Sequence, residues 1–304
     1  MDTTIVKTKG MGWFRDLPDY RDYTPEHEKI RPLLEKIKMA TPAAAPAMPA
    51  RVDLRTWCSP IEDQADLGSC TAQAGAGLIE FYERKAFGTH IDASRLFLYK
   101  VTRNLLGMTG DTGAYLSSTM AAMTLFGVPP EKYWPYTTVK PGPVASPPVA
   151  HFDMEPPAFC YAFAQNFKSI KYYRLDPPGL TPADLLQRIK TYLAANMPSM
   201  FGFSVYLSYQ FSATNGHFPF PCPGEPAVGG HGVVAVGYDN NKNIKNPYCG
   251  KETTGALLIR NSWGTDWGED GYGWLPYEYV LNGLAVDWWT LFKQDYVDTD
   301  QFGL

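Results

Sequence analysis

Downstream of Cys70, apolar residues recur at helical spacing. In CTAQAGAGLIEFYERKAFG, Leu78, Ile79 and Tyr82 share a face, β-branched residues are few, and Gly88 stands where a helix would end. The pattern predicts a helix with Cys70 at its N-terminus. Residues 94–104 and 114–126 also carry a helical pattern. In TPADLLQRIKTYLAANMP, Thr181 is placed to cap a helix over 182–196, Pro182 suits its first position, and Leu185, Ile189 and Leu193 line one side. The short apolar runs SMFGFSVY, GVVAVGY, GALLIRN and YGWL read as strands. Helices therefore come first and strands later, an α+β order. Residues 207–229 and 239–255 are rich in Gly, Pro, Asn and Lys and are expected as loops bracketing GVVAVGY. No internal repeat is visible.

Residues 39–50, MATPAAAPAMPA, form an Ala/Pro stretch whose composition favours an extended linker. It divides an N-terminal segment, 1–50, from the main domain, 51–304. Upstream of the linker, Trp13, Phe14, Leu17, Tyr20 and Tyr23 make a cluster too apolar for a solvated tail. Those side chains need a surface to bury them, either the back of a lobe or an apolar groove across which the segment folds.

Composition narrows the function classes. The 304 residues are 45% hydrophobic and 19% charged, enough to bury a large core. A formal net charge of −4 supplies no basic field for a phosphate backbone, so nucleic acid is not expected as the main partner. The N-terminus builds no apolar stretch of the ~7–15 residues that a secretory signal needs. No stretch reaches the ~20 apolar residues of a spanning helix, so no membrane span is expected, and the compartment stays open between the cytoplasm and non-classical export. The five cysteines are an odd count, leaving at least one thiol without a partner in the chain. They show no zinc-ligand spacing, and no metal is expected. The loops carrying Cys222 and Cys249 both border the GVVAVGY strand, which favours that pairing, although buried free thiols fit equally well.

As a nucleophile, Cys70 would need a local positive potential, because a free thiol of pKa about 8.5 yields little thiolate at neutral pH. A helix N-terminus offers roughly half a positive charge, and a neighbouring imidazolium would add a full one. An isolated Cys among Ala and Gly is ordinarily a small buried hydrophobe. Here its context argues otherwise. DLRTWCSPIEDQADLGSCTAQA places Gln64 six residues before Cys70, GGHGVVAVGYD places His231 just before an apolar strand, and RNSWGTDWGEDGYGW supplies Asn261, Trp263 and Trp267.

In the order Gln, Cys, His, Asn, these three stretches resemble the papain family of cysteine peptidases over roughly residues 51–290. GWFRDLPDYRDY, RLFLY and GVPPEKYWPY look like its bacterial members. The resemblance implies a two-lobed α+β fold, with a helical left lobe carrying Cys70, a β-barrel right lobe carrying His231 and Asn261, and the site between them. It implies Cys70 as nucleophile, His231 as base, Asn261 as the acceptor that orients the base, and Gln64 with the Cys70 N–H as the oxyanion hole. Trp263 would shield the His–Asn hydrogen bond, Gly113 would lie in the segment that pairs with substrate, and Gly202 and Gly230 would line the adjoining pocket. The expected partners are peptide or protein substrates of a monomer that needs no cofactor, with its own N-terminal segment over the cleft.

The sequence departs from the family at several points. Leu67 and Thr71 stand where the family commonly has a disulfide Cys and an aromatic residue. The spacings from Cys70 to His231 and Asn261 exceed the usual ~130–150 residues, which implies inserted loops, 207–229 first among them. His217 is an alternative base, but no strand follows it to fix its geometry, and His27, His90 and His151 have no companion motif. Glu62 and Asp63 read as solvated charges. Two competing classes are an inactive binding module, which would have lost one of the four residues, and an amidase acting on non-peptide amides, which would not need the NSWG stretch or the upstream Gln.

Overall fold

The computed structural model describes residues 9–37, 39, 48–142, 151–167 and 170–293. Most of the Ala/Pro linker lies outside them. In chain order the N-terminal segment holds β1 (Trp13–Phe14) and α1 (Arg31–Lys36). The left lobe follows β2 (Arg51–Asp53) with α2 (Cys70–Phe87), α3 (Arg95–Leu105), β3 (Ala114–Tyr115), α4 (Leu116–Phe126) and α5 (Ala158–Ala164). The right lobe holds β4 (Ile170–Arg174), α6 (Pro182–Ala194), β5 (Ser199–Tyr206), α7 (Ser212–Asn215), β6 (Ala227–Lys245), β7 (Glu252–Arg260), β8 (Tyr272–Pro276), α8 (Tyr277–Leu281) and β9 (Ala285–Lys293).

The local signals act as expected at the helix ends. Gly88 closes α2 in the left-handed region at φ 73°, a conformation costly for a residue with a Cβ. Ser94 caps α3 by accepting the Phe97 N–H, and Thr181 caps α6 by accepting that of Asp184. A buried cross-link fixes α2 to the right lobe. Glu80 accepts from the Ser59 hydroxyl and the Ala93 N–H, while Arg260, the last residue of β7, donates to Ser59 at 3.0 Å. A Cβ on Gly77 would lie 2.4 Å from the Arg260 guanidinium, so the helix approaches β7 this closely because position 77 lacks one.

The sheet runs β4-β9-β5-β6-β7-β8, with β2 also paired to β6. Its outer strands β4 and β8 do not pair with each other among the described residues, so the expected barrel is an open sheet. Pro276 ends β8, withholds an N–H from the ladder and leads directly into α8. The two expected loops are also more ordered than their composition indicates. Within 207–229 lie a 3-10 turn at Leu207–Phe211 and α7, and Phe218 and Phe220 are buried. Across 239–255, β6 continues to Lys245 and β7 begins at Glu252, pairing Ile244 with Thr253 past a register shift.

Cys222 and Cys249 form a disulfide across a sequence separation of 27, whereas Cys58, Cys70 and Cys160 are free and buried. Closing a loop of that size removes unfolded-state entropy worth about 3 kcal/mol. Replacing both cysteines with serine is expected to lower unfolding stability by that order in equilibrium urea titrations. A change below about 0.5 kcal/mol would assign the bridge no role beyond local packing.

Of the N-terminal cluster expected to need burial, Trp13 is buried, whereas Phe14, Leu17 and Tyr20 are exposed. Ile30, Leu34 and Ile37 belong to the buried core. Each is worth roughly 1.5–3 kcal/mol of burial, so residues 22–37 are part of the folded body. Residues 9–16 instead run between the lobes. There β1 pairs in parallel with β3, and the Ala114 N–H donates to the Gly12 carbonyl at 2.8 Å.

Candidate active site

Cys70 is the first residue of the 18-residue α2, where the unpaired amide dipoles favour negative charge. Its Sγ accepts the N–H of Gly232 and the N–H of Gly12, each at 3.3 Å. One donor comes from β6, immediately after His231, and the other from the segment overhead. The thiol is fully buried, and burial pushes its pKa up to about 11 against those donors.

His231 lies in β6 opposite Phe203 of β5. Its Nε2 is 2.7 Å from Oδ1 of Asn261, which follows β7 and also accepts the Ser262 N–H at 2.8 Å. The Asn261 oxygen is therefore an acceptor, and Nε2 carries the proton. Nδ1 is buried without a partner. Trp263 stacks on the imidazole with ring centroids 4.5 Å apart, and Trp267 meets Trp263 edge-on at 5.4 Å. Desolvation outweighs the Asn261 bond and lowers the imidazole pKa to about 4. Burial thus favours the neutral form of both thiol and imidazole while the cleft is covered.

Gln64 is held on three sides. Its Oε1 accepts the Ser262 hydroxyl at 2.6 Å, its backbone N–H reaches the Ser262 carbonyl, and its carbonyl accepts the Tyr136 hydroxyl. Nε2 donates to the Leu67 carbonyl at 2.7 Å and to the Gly10 carbonyl at 3.0 Å. Asp111 accepts the Gly68 N–H at 2.9 Å and the Tyr99 hydroxyl, which in turn accepts the Gly113 N–H. This fixes the turn before Cys70 relative to β3. Thr71, in place of an aromatic residue, is buried, as is Leu67.

The covering segment fills the pocket beside these groups. A Cβ built on Gly202 would lie about 2 Å from the Trp13 indole, and one on Gly230 would lie 2.5 Å from the Trp13 carbonyl. One on Gly113 would meet the Gly12 carbonyl at 2.3 Å. The Trp13 Nε1 donates to Asp287 Oδ2 at 3.0 Å, and the Trp263 Nε1 reaches the Gly10 carbonyl at 3.4 Å. Six of the eight residues singled out in the sequence, Gln64, Cys70, Gly113, Gly202, Gly230 and Trp263, therefore lie against residues 10–13, and His231 with Asn261 joins them through the stacked Trp263. His217 lies apart in a backbone bridge with Trp274. Glu62 and Asp63 are not merely solvated: Glu62 pairs with Arg95, and Asp63 with Lys9 of the segment, because the turn before Cys70 brings them beside those cations.

Three residues at the candidate site escape a reading of motifs. Ser262 sits inside the NSWG stretch and was within reach as a polar neighbour of Asn261. Asp287 has only the signal of a lone acid in the apolar run AVDWW. Gly12 carries none, since its role depends on where the segment lies.

A helix-borne thiol facing a sheet-borne histidine–asparagine pair across two lobes is the arrangement of a cysteine peptidase. The chain belongs to the papain family: the pattern described as Papain family cysteine protease matches residues 48–282. An uncharacterized peptidase C1-like protein of Acanthamoeba polyphaga mimivirus is 30% identical over 96% of this chain and 89% of its own. Cathepsin K of Gallus gallus is 27% identical over 74% of this chain and 58% of its own. Among solved structures, xylellain, a cysteine protease from Xylella fastidiosa, is 34% identical, with a TM-score of 0.72 over 94% of this chain and 97% of that one. Among the described residues, no helix is long and apolar enough to cross a membrane.

Proposed function

We propose that this cysteine peptidase hydrolyses peptide bonds through Cys70, His231 and Asn261, and that residues 1–50 are a regulatory segment whose stretch 9–16 masks the site of the domain 51–304. The observation that carries the reading is that Cys70 Sγ, held by the N–H next to His231, and the Gln64 amide both meet the segment, at Gly12 and Gly10. With a peptide bound instead, the Cys70 thiolate attacks the scissile carbonyl carbon. The Gln64 Nε2–H and the Cys70 N–H take the developing oxyanion. His231, protonated at Nδ1, gives that proton to the leaving amine as the C–N bond breaks, leaving a thioester. Water, deprotonated by His231, then attacks the thioester carbonyl; the C–S bond breaks, releasing the acid and the Cys70 thiolate with His231 again protonated.

The segment blocks the site without serving as substrate. What it places against Sγ is the Gly12 N–H, a donor with no electrophilic carbon. The carbonyl within reach of Gln64 belongs to Gly10, two residues away. Masking also acts through solvation, because it removes the water and charge that would let the thiolate–imidazolium pair form.

The test is the pH dependence of Cys70 alkylation by iodoacetamide. Because burial raises the thiol and lowers the imidazole, neutral groups persist across the intervening range and wild-type alkylation is expected to rise only in strongly alkaline solution. Displacing the segment, as in Gly12→Val, lets the ion pair form, and alkylation should begin in the acid range. If the opened protein titrates only near the free-thiol value of about 8.5, Cys70 is not part of an ion pair and the assignment fails.

A further inference from the structure

Tyr136 ends the stretch GVPPEKYWPY and takes no proton in the reaction, yet its hydroxyl reaches both ends of the turn that carries the oxyanion donors. It donates to the Gln64 carbonyl at 3.1 Å and lies 2.7 Å from Ser69 Oγ. Burial pushes its pKa up to about 12, so it keeps its proton. That one proton goes to Gln64, whose carbonyl can only accept, and Ser69 therefore donates to the tyrosine oxygen. Ser69 precedes α2, but its side chain caps nothing there, and the Ser69–Cys70 peptide bond carries the Cys70 N–H. Two donors that lie six residues apart thus each adjoin a group held by the same hydroxyl. Tyr136 is itself fixed. Its N–H donates to Glu131 Oε1 at 2.6 Å, and its ring centroid lies 5.6 Å from the Arg95 guanidinium. Arg95 is buried and pairs with Glu131 at 3.0 Å and with Glu62, two residues before Gln64. The left lobe grips the turn through Tyr136, while Ser262 holds Gln64 from the right lobe.

Resting on the proposed function, and deepening it, we infer that Tyr136 is a positioning residue: its hydroxyl fixes the Gln64 amide and the Cys70 N–H at the separation that a developing oxyanion requires. Such a pair stabilises the charge only when both N–H groups already point at the place the oxygen will occupy, and misplacing one by about 1 Å can cost on the order of 100-fold. Asp111 anchors the Gly68 N–H, but the tie between Ser69 and Gln64 runs through Tyr136. Removing the hydroxyl leaves the Gln64 carbonyl and the Ser69 hydroxyl without this partner, so the two donors shift relative to each other. The bonds that hold Sγ and the imidazole involve other groups and stay in place.

The experiment uses the full chain carrying Gly12→Val, which displaces the segment, with Tyr136→Phe added. On one peptide substrate kcat should fall about tenfold or more while KM changes less than about twofold, because the interaction lost is made in the transition state. The rate and pH dependence of Cys70 alkylation by iodoacetamide should not move, since displacement of iodide develops no oxyanion. Gln64→Ala supplies the coupling arm. In that background Tyr136→Phe should cost less than about threefold, because the donor it positions is gone. Ser69→Ala breaks the other half of the bridge and should lower kcat with alkylation unchanged, and it carries the test if the phenylalanine variant does not fold. Unchanged kcat in the folded variants, an equal loss in alkylation rate, or a loss undiminished by Gln64→Ala overturns this inference alone. No hydrolysis by the Gly12→Val parent, with the protein folded by circular dichroism, overturns the proposed function and this inference with it.

Discussion

Replacing Cys70 or His231 with alanine lowers kcat/KM on every peptide by a factor on the order of 10³ or more, to the background of the protein solution. No other group among those contacting Sγ can take the acyl group: Gly12 and Gly232 present only N–H donors there. The His231 loss should match the Cys70 loss rather than add to it, because nucleophile and base act as one unit. Asn261→Ala is milder, by roughly 10–100-fold, since it orients Nε2 and carries no proton itself. Thermal unfolding of Cys70→Ala should remain close to wild type, because the thiol makes only weak hydrogen bonds. Turnover above background in either alanine variant, measured on a preparation free of other peptidases, would remove Cys70 and His231 from the mechanism.

Gly12→Val raises the rate on small peptides by at least about tenfold. A Cβ at position 12 would lie 1.9 Å from the Gly68 carbonyl oxygen and 2.5 Å from its carbon. That backbone cannot yield cheaply, because Asp111 anchors the Gly68 N–H. The segment must therefore lift, withdrawing the Gly12 N–H from Sγ and the Gly10 carbonyl from Gln64. This substitution is a cleaner probe than deleting residues 1–50. Deletion also strips Ile30, Leu34 and Ile37 from the core, and the lost stability would mask any gain in rate. An unchanged kcat/KM in Gly12→Val, with Cys70 equally slow to alkylate, would end the regulatory reading.

The site was more legible in the sequence than the architecture around it. Gln64, Cys70, His231 and Asn261 are chemically demanding positions whose neighbours, GSC, GGHG and NSWG, are short and local, so a linear reading finds them. The helix ends at Gly88, Ser94 and Thr181 are equally local. What could not be read is what depends on distant pairing. The hairpin from Asp239 to Gly255 looks like a loop by composition, and only the cross-strand partners of Ile244 and Thr253 make it a sheet. The expected barrel is an open sheet because β4 and β8, far apart in the sequence, do not pair among the described residues. The N-terminal apolar cluster signalled more burial than occurs: Trp13 enters the cleft, whereas Phe14, Leu17 and Tyr20 remain exposed. The contact of Asp287 with Trp13 was hidden because it joins residues more than two hundred positions apart in sequence.

The packing of Ile30, Leu34 and Ile37 has a consequence for how the covering strand competes. Tethered by a short connection to a part of the molecule that stays folded, residues 9–16 are never diluted. Their effective concentration at the cleft is on the order of millimolar, whatever the concentration of the protein itself. A weak intrinsic grip therefore suffices to keep the site filled, and a weak grip can be let go quickly. A peptide of the same sequence supplied from solution would have to reach that concentration to do the same, so the proposed mask would work as a first-order gate that neither dilution nor mixing could relieve.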